Sequence, residues 1–366
     1  MNDVKELISG PMGMAVRAVQ RLMACQMPQG AVIYKVDART GVESNESYNM
    51  VRMAGVAYSL AWAARRFAEE PGLGEKLKAA SKRANEFLLR SCELQQDGFY
   101  VGDYTFDGGL TETGKVGATA LFAMALQLSP ATAEYGDPLG RLVETMLRCQ
   151  TEKGAFWGYV GRQSLSGQRY ASGEILLSLV RYFERTGEVE VLRAVERAFP
   201  YYESYYAFDP HQGMILWHAD TWTRVSRLPQ VEAAARARYA AFAQRLVEHL
   251  PRKQVMAGQG TESLHEGGIM FESRPGVSTS LYAEALGRVA SMQRANGEQA
   301  IAERYTATVM RAMEFLPRLQ IEQAEVNARR VLGGFLGNLA STALRMDNDQ
   351  HVITCCLALE EEGFFV

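Results

Sequence analysis

The sequence predicts an all-α fold, an (α/α)6 toroid of six helical hairpins forming a single domain over residues 1–366. Three observations predict it. First, a weak repeat recurs roughly every 60 residues, as stacked supersecondary units do. In each copy a helical stretch ends near Cys or Gln and gives way to a short turn, usually with Gly. Cys25-Gln26 leads to Gly30-Ala31, Cys92 to Gly98-Phe99, and Cys149-Gln150 to Gly154-Ala155-Phe156-Trp157. Gln254 and Gln320 open two looser copies, the last reaching Gly333-Gly334-Phe335. Second, the stretch after each turn is more apolar and richer in small residues, as in Ala54-Gly55, Gly117-Ala118 and Ala283–Gly287. Third, the stretch before each turn carries charge, as in Glu75–Arg83 and Arg236–Glu248. Charged outer helices around a close-packed inner set satisfy all three, because a hairpin that cannot bury its own apolar face must stack on the next.

The elements follow in order. Leu7, Met14, Val16, Val19 and Leu22 give a helical period over Val4–Cys25, which pairs with an Ala-rich helix over Met50–Phe67. Gly30–Tyr48 between them is polar and turn-rich, with Val32-Ile33-Tyr34 as a short strand. The next pairs are Gly74–Ser91 with Thr113–Leu128, and Pro138–Cys149 with Ser172–Thr186. Val189–Tyr206 pairs with a shorter helix over Gly213–Arg224, Pro229–Leu250 with Ser278–Asn296, and Glu298–Pro317 with Asp349–Glu362. Gly187 and Gly297 read as C-terminal stops, and Ser172 as an N-cap.

Composition bounds the function. The chain is 47% hydrophobic and 22% charged with net charge −3, ordinary for a globular protein, and its Lys and Arg are scattered. This offers no footprint for nucleic acid or anionic lipid. No run of apolar residues is long enough to span a bilayer, and the N-terminus lacks an apolar segment of the signal-peptide kind. Five cysteines, an odd number without framework spacing, read as buried thiols in a reduced, cytoplasmic protein. No cofactor or metal is expected.

In such a ring every inner helix begins at the same end, so the segments preceding them converge on one mouth. That mouth is rich in chemistry. Tyr48, Asn49 and Arg52 precede or open the first inner helix, and Asp103, Asp107, Glu112 and Lys115 the second. Trp157, Tyr170 and Glu174 mark the third, and Trp217 and His218 the fourth. Glu262, His265 and Glu272 stand before the fifth; Arg345, Asp347, Asp349, Gln350 and His351 mark the sixth. Aromatic faces cover the apolar side of a pyranose while charged and amide groups bond its hydroxyls, so this mixture suits a carbohydrate. Arg345 and Asp347 also read as a structural salt bridge, and ring residues near helix ends as core caps.

Three motifs carry a resemblance. Tyr48-Asn49-x-Val51-Arg52-x-Ala54-Gly55-x-x-Tyr58-x-Leu60, then Gly173-Glu174-Ile175-Leu176-Leu177-x-Leu179, and Gly333-Gly334-Phe335 before Arg345-x-Asp347-x-x-Gln350-His351 resemble bacterial (α/α)6 toroids. These are similar to six-hairpin glycosidases, N-acylglucosamine 2-epimerases and the α/α domain of glucuronyl C5-epimerases. Asn348 stands where the last group has an aromatic residue. The resemblance implies a sugar-processing activity within the toroid. Zinc-dependent toroids fit less well, since Cys355 and Cys356 are embedded in the apolar run Val352–Leu359.

Two catalytic readings follow, with a third that is not catalytic. Glycoside hydrolysis needs a protonated acid and an ionised partner, for which Glu174 and Asp349 or Asp347 are the first choice and Glu112 and Glu262 the reserve. Epimerase or lyase chemistry needs bases such as His351, His218 or Tyr48 with Arg52 or Arg345 as a clamp. A glycan- or protein-binding toroid would keep the aromatic and Arg residues, among them Trp157, Tyr170, Trp217 and Gln350, without needing any single acid. Gly258–Pro275, with four glycines, reads as a candidate lid.

Overall fold

The alternation of charged and small-residue stretches becomes an alternation of surface and interior in the computed structural model, which describes residues 10–93, 98–106, 109–110, 113–258, 263–271 and 273–365. Among these residues twelve helices alternate between outer and inner positions, and the expected pairing shifts by one: Met50–Arg66 packs on Gly74–Glu93 and Ser278–Ala295 on Gln299–Phe315, because the connections after the inner helices are the short ones. The outer members are α1 (Gly10–Ala24), α3 (Gly74–Glu93), α5 (Gly136–Arg148), α7 (Val189–Phe208), α9 (Ala233–Val247) and α11 (Gln299–Phe315). The inner members are α2 (Met50–Arg66), α4 (Val116–Leu128), α6 (Ala171–Thr186), α8 (Ile215–Arg227), α10 (Ser278–Ala295) and α12 (Met346–Glu361). The expected boundaries hold to within a few residues, except that the expected start at Val4, with Leu7, lies outside the described residues.

Inner and outer helices differ as their compositions demand. Along α4 every residue but Gln127 is buried. On α3 only a stripe is buried, through Leu77, Ala80, Ala84 and Leu88, while Lys76, Lys78 and Lys82 face water. α2 and α4 pack together, and Ala54 and Ala57 of one and Ala118 and Ala120 of the other have no exposed surface. A methyl at Gly287 of α10 would overlap the Leu359 side chain of α12, so that contact requires glycine.

The packing falls into two compact units. One holds α2 to α7, with Gln26–Val32 and the chain from Asn45 to Thr221. The other holds α1, Ile33–Ser44 and the chain from Trp222 onward, including α9 to α12. Each unit has its own sheet. In the second, β1 (Lys35–Asp37) lies between β2 (Glu43–Ser44) and β5 (Ala343–Arg345), all antiparallel, with Lys35 opposite Arg345. In the first, β3 (Tyr104–Thr105) pairs with β4 (Gly109–Leu110). The strand expected at Val32–Tyr34 begins at Lys35 instead, because Val32 is used in an isolated bridge to Gln26.

That bridge belongs to a four-fold clasp that explains the sequence repeat. Gln26 Nε2 donates to Gly30 O (3.2 Å) and to Ala80 O on α3 (2.9 Å), and Arg83 of α3 donates to Gln26 Oε1 (2.7 and 3.0 Å). Gln150 repeats the pattern with Gly154, Ala194 and Arg197. Gln254 does so with Gly267, Thr308 and Arg311, and Gln320 with Gly333, Met14 and Arg17. Each of the four glycines has positive φ, and a Cβ there would strike the carbonyl oxygen of the same arginine. Only glycine lets the turn approach so closely.

Helix ends are satisfied locally. Asn49 caps α2, its Oδ1 accepting from Val51 N (2.9 Å) and Arg52 N (3.4 Å). Gly187 ends α6 in the left-handed region, as expected. Ser172 is not an N-cap: α6 begins at Ala171, and the Ser172 hydroxyl donates backward to Gln168 O (2.6 Å). All five cysteines are buried thiols. Among the described residues no helix is long and apolar enough to cross a membrane.

Candidate functional site

In the first unit, the segments that precede α2, α4, α6 and α8 bring several of the expected residues to helix beginnings. Glu174 lies on the first turn of α6, 6% exposed. Its carboxyl is seated against the first turn of α4, where a methyl on Gly117 would overlap Oε2. Among the described residues it has no hydrogen-bond or ionic partner, and burial alone raises its pKa from 4.5 to about 7. A buried carboxyl with nothing to stabilise its charge is the environment that tunes an acid toward neutrality.

The turn that carries Glu174 is fixed from α8. Ser172 Oγ lies 2.8 Å from His218 Nε2, and Gly173 packs against Trp217 and His218, where a side chain would clash. His218 is fully buried against the Tyr202 ring (centroids 5.2 Å), and burial lowers its pKa to about 3. The imidazole is therefore neutral and enclosed, a position suited to holding α6 rather than to meeting substrate. Trp217, 5% exposed, is core in the same way. Tyr202 adds a second tie, donating to Gln168 Oε1 (2.8 Å) and accepting from Phe156 N (3.0 Å).

The aromatic residues divide between surface and interior. Tyr170, immediately before α6, is 53% exposed and meets His211 edge-on at 5.9 Å. Trp157 is half-buried. Tyr48 packs edge-on against Phe106 (4.9 Å) and Tyr104 (6.2 Å), with burial pushing its hydroxyl pKa up, which removes it as a base at neutral pH. Asn49 is occupied as the α2 cap, and Arg52 is half-buried on the same turn. Asp107, Glu112, Glu262 and Glu272, with part of the Gly258–Pro275 segment, lie outside the described residues.

In the second unit the carboxylates are engaged by arginines. Asp349, without exposed surface, forms a buried ion pair with Arg21 of α1 and accepts from Phe335 N (2.8 Å). Arg21 also donates to Arg330 O (2.8 Å) and Leu344 O (3.0 Å), so the pair ties α1 and α12 to β5 and the segment before it. Burial outweighs the attraction of Arg21 and holds Asp349 up at about 6. Arg345 grips Asp347 through two bonds of 2.9 and 2.8 Å, the salt bridge that the sequence suggested. Asn348 donates to Phe335 O (2.9 Å). Gln350 is buried, and His351 is half-buried with its carbonyl accepting from Thr354.

Arg181 was not singled out by the sequence reading. It lies two turns below Glu174 on the same stripe of α6, its side chain 10% exposed, with Asp220 at 3.9 Å. Its signal was visible as a lone cation in the apolar stretch Ile175–Phe183.

No protein-family model matches the sequence, and no curated protein sequence matches it. Solved structures do. A sugar epimerase from a ruminal bacterium aligns with TM-score 0.65 and 10% identity, over 96% of this chain and 97% of that one. Cellobiose 2-epimerase from Bacillus thermoamylovorans B4167 aligns with TM-score 0.65 and 11% identity, over 99% and 100%. The GH76A α-1,6-mannanase from Salegentibacter sp. HEL1_6 aligns with TM-score 0.63 and 13% identity, over 96% and 99%. The fold is that of the six-hairpin toroids. It is shared by sugar epimerases and glycoside hydrolases alike, and at these identities the likeness establishes the fold alone.

Proposed function

We propose that the protein is a carbohydrate-active enzyme that moves a proton at a sugar carbon beside a carbonyl, an isomerase- or epimerase-type reaction with Glu174 as general acid–base. The observation that carries this reading is the isolation of Glu174: buried, unpartnered among the described residues, and titrating near 7. A group with that pKa is present in both forms at neutral pH, so one carboxyl can take a proton and return it. As carboxylate, Glu174 removes the proton from C2 of an open-chain aldose while the C–H electrons form the enediolate and charge gathers on O1. Returning the proton to C1, while the O2 proton passes to O1 and C2 becomes the carbonyl, gives the ketose. Returning it to the opposite face of C2 gives the epimer and needs a second donor. In this reading Tyr170 and Trp157 present ring faces to the sugar, and Arg52 balances the developing negative charge. We assign Asp347 and Asp349 to holding their helix through Arg345 and Arg21, and His218 to positioning α6. The sugar epimerase neighbours support the class.

Glycoside hydrolysis is the second reading, favoured by the same pKa, since a carboxyl near 7 is also a competent proton donor to a leaving oxygen. Both separate in one experiment. Neutral and acidic mono- and oligosaccharides are incubated in D2O with wild type, Glu174→Gln and His351→Ala, and followed by proton NMR. Loss of the C2 proton signal with a new isomer supports proton transfer at carbon; new reducing ends support hydrolysis. Glu174→Gln should lower either activity by at least about 100-fold, the scale of general acid–base catalysis. Turnover undiminished in Glu174→Gln would overturn both.

A further inference from the structure

The stripe of α6 that begins with Glu174 continues through Ser178 and Arg181, at i+4 and i+7, one face of a helix. Below Glu174, two further polar side chains lack hydrogen-bond partners among the described residues. Ser178 Oγ is buried with no hydrogen bond, and so are Nε and Nη2 of Arg181. The Arg181 guanidinium lies 5.2 Å from the Trp62 ring centroid and 5.8 Å from that of Tyr58, both on α2. Asp220 of α8 approaches one edge at 3.9 Å, too far for a hydrogen bond. Aromatic faces and a distant carboxylate offset part of the cost of a buried cation, but they leave its N–H donors unmet. Orphaned donors of this kind point to a group that arrives from outside.

We propose that Arg181 receives an oxoanion, a carboxylate or a phosphate, carried by the sugar on which Glu174 acts; this rests on the reading of Glu174 given above. The two residues are seven apart on one helix, so their Cα atoms are separated by about 10 Å along the axis. Helical side chains lean toward the N-terminus, which lifts the guanidinium toward Glu174 and shortens that gap. One sugar ring with a charged exocyclic group spans it, its carbonyl end at Glu174 and its anion at Arg181. Ser178, between the two, donates to the same anion or to the ring. The substrate class is then an acidic monosaccharide, a uronate or a sugar phosphate, in preference to a neutral sugar.

Thermal shift and calorimetry at constant ionic strength test this with glucose, glucuronate, glucose 6-phosphate and inorganic phosphate. Wild type should be stabilised saturably by glucuronate or glucose 6-phosphate, whichever oxoanion fits, and not by glucose. Arg181→Met, unbranched and close in volume, should weaken that binding at least tenfold, and Arg181→Lys should restore part of it. Should Arg181→Met fail to fold, Ser178→Asp serves instead, because its own carboxylate would occupy the guanidinium and abolish the effect of added anion. An equal response from Arg181→Met, or none from wild type, would mean that the orphaned donors hold water only and would overturn the proposal. Glu174→Gln should keep anion binding while losing turnover. Glu174-dependent turnover of neutral sugars without anion binding would sink the inference and leave the reading of Glu174 standing.

Discussion

At the scale of the residue, the behaviour of Glu174 depends on one neighbour that has no side chain. Glycine inside a helix costs about 1 kcal/mol relative to alanine, and Gly117 sits there because the Glu174 carboxyl takes the space a methyl would fill. Gly117→Ala should therefore leave stability equal or slightly higher while displacing the carboxyl. Activity is expected to fall at least tenfold, and the acidic limb of the rate profile to move to lower pH as the carboxyl gains water. Stability carries the same signature. The folded protein binds the Glu174 proton more tightly than the unfolded chain, with pKa about 7 against 4.5. This contribution is complete below pH 4.5 and is lost as pH rises through 7, on the order of 3 kcal/mol in all. Asp349, held at about 6, adds a slope of the same sign at lower pH. Subtracting urea-denaturation curves of Glu174→Gln from those of wild type between pH 4 and 8 isolates the Glu174 share; a flat difference would show that the carboxyl is not desolvated.

At the scale of the element, the repeat was legible because one mechanical part is used four times. Gln26, Gln150 and Gln254 each close a turn on the following outer helix and Gln320 closes one on α1, and the glycine and arginine of each clasp are fixed by the same geometry. Removing one glutamine strands two carbonyl acceptors and an arginine, costing about 1–3 kcal/mol by the usual penalty for unmet buried groups. The cost should rank by burial. Gln254→Ala and Gln320→Ala, at 4% and 6% exposure, should lower the melting temperature more than Gln26→Ala, whose Arg83 bonds are exposed. Equal effects at all positions would mean that the turn glycines, and not the glutamines, set the repeat. Helix existence was readable for similar reasons, since α3 shows its buried stripe and α4 its uniform burial in residue type alone. Side-chain partners were not. Nothing local in the sequence says that Asp349 meets Arg21, more than 300 positions away, or that Ser172 faces His218 instead of capping its own helix. Mouth residues could be enumerated from the hairpin pattern, but which of them are free to react is decided by these distant pairings. Arg181 lies two turns below the helix beginning, where residue type alone does not say whether a cation is buried or solvated.

At the scale of the whole molecule, the helices alternate between outer and inner positions along the chain. Chain order and packing order differ in one place. Arg17 and Arg21 on α1 serve the last part of the chain, bonding Gln320, Asp349, Arg330 and Leu344. During synthesis Arg17 is therefore made 303 residues ahead of Gln320, and Arg21 309 residues ahead of Arg330. Until Gln320, Arg330 and the residues beyond them have been synthesised, these two guanidinium groups lack those acceptors. The wait lengthens the window in which a nascent chain can be captured by a chaperone or by another unfinished copy. The buried charge of Asp349 is matched only once α1 has packed against α12, so that ion pair reports the docking of the two helices.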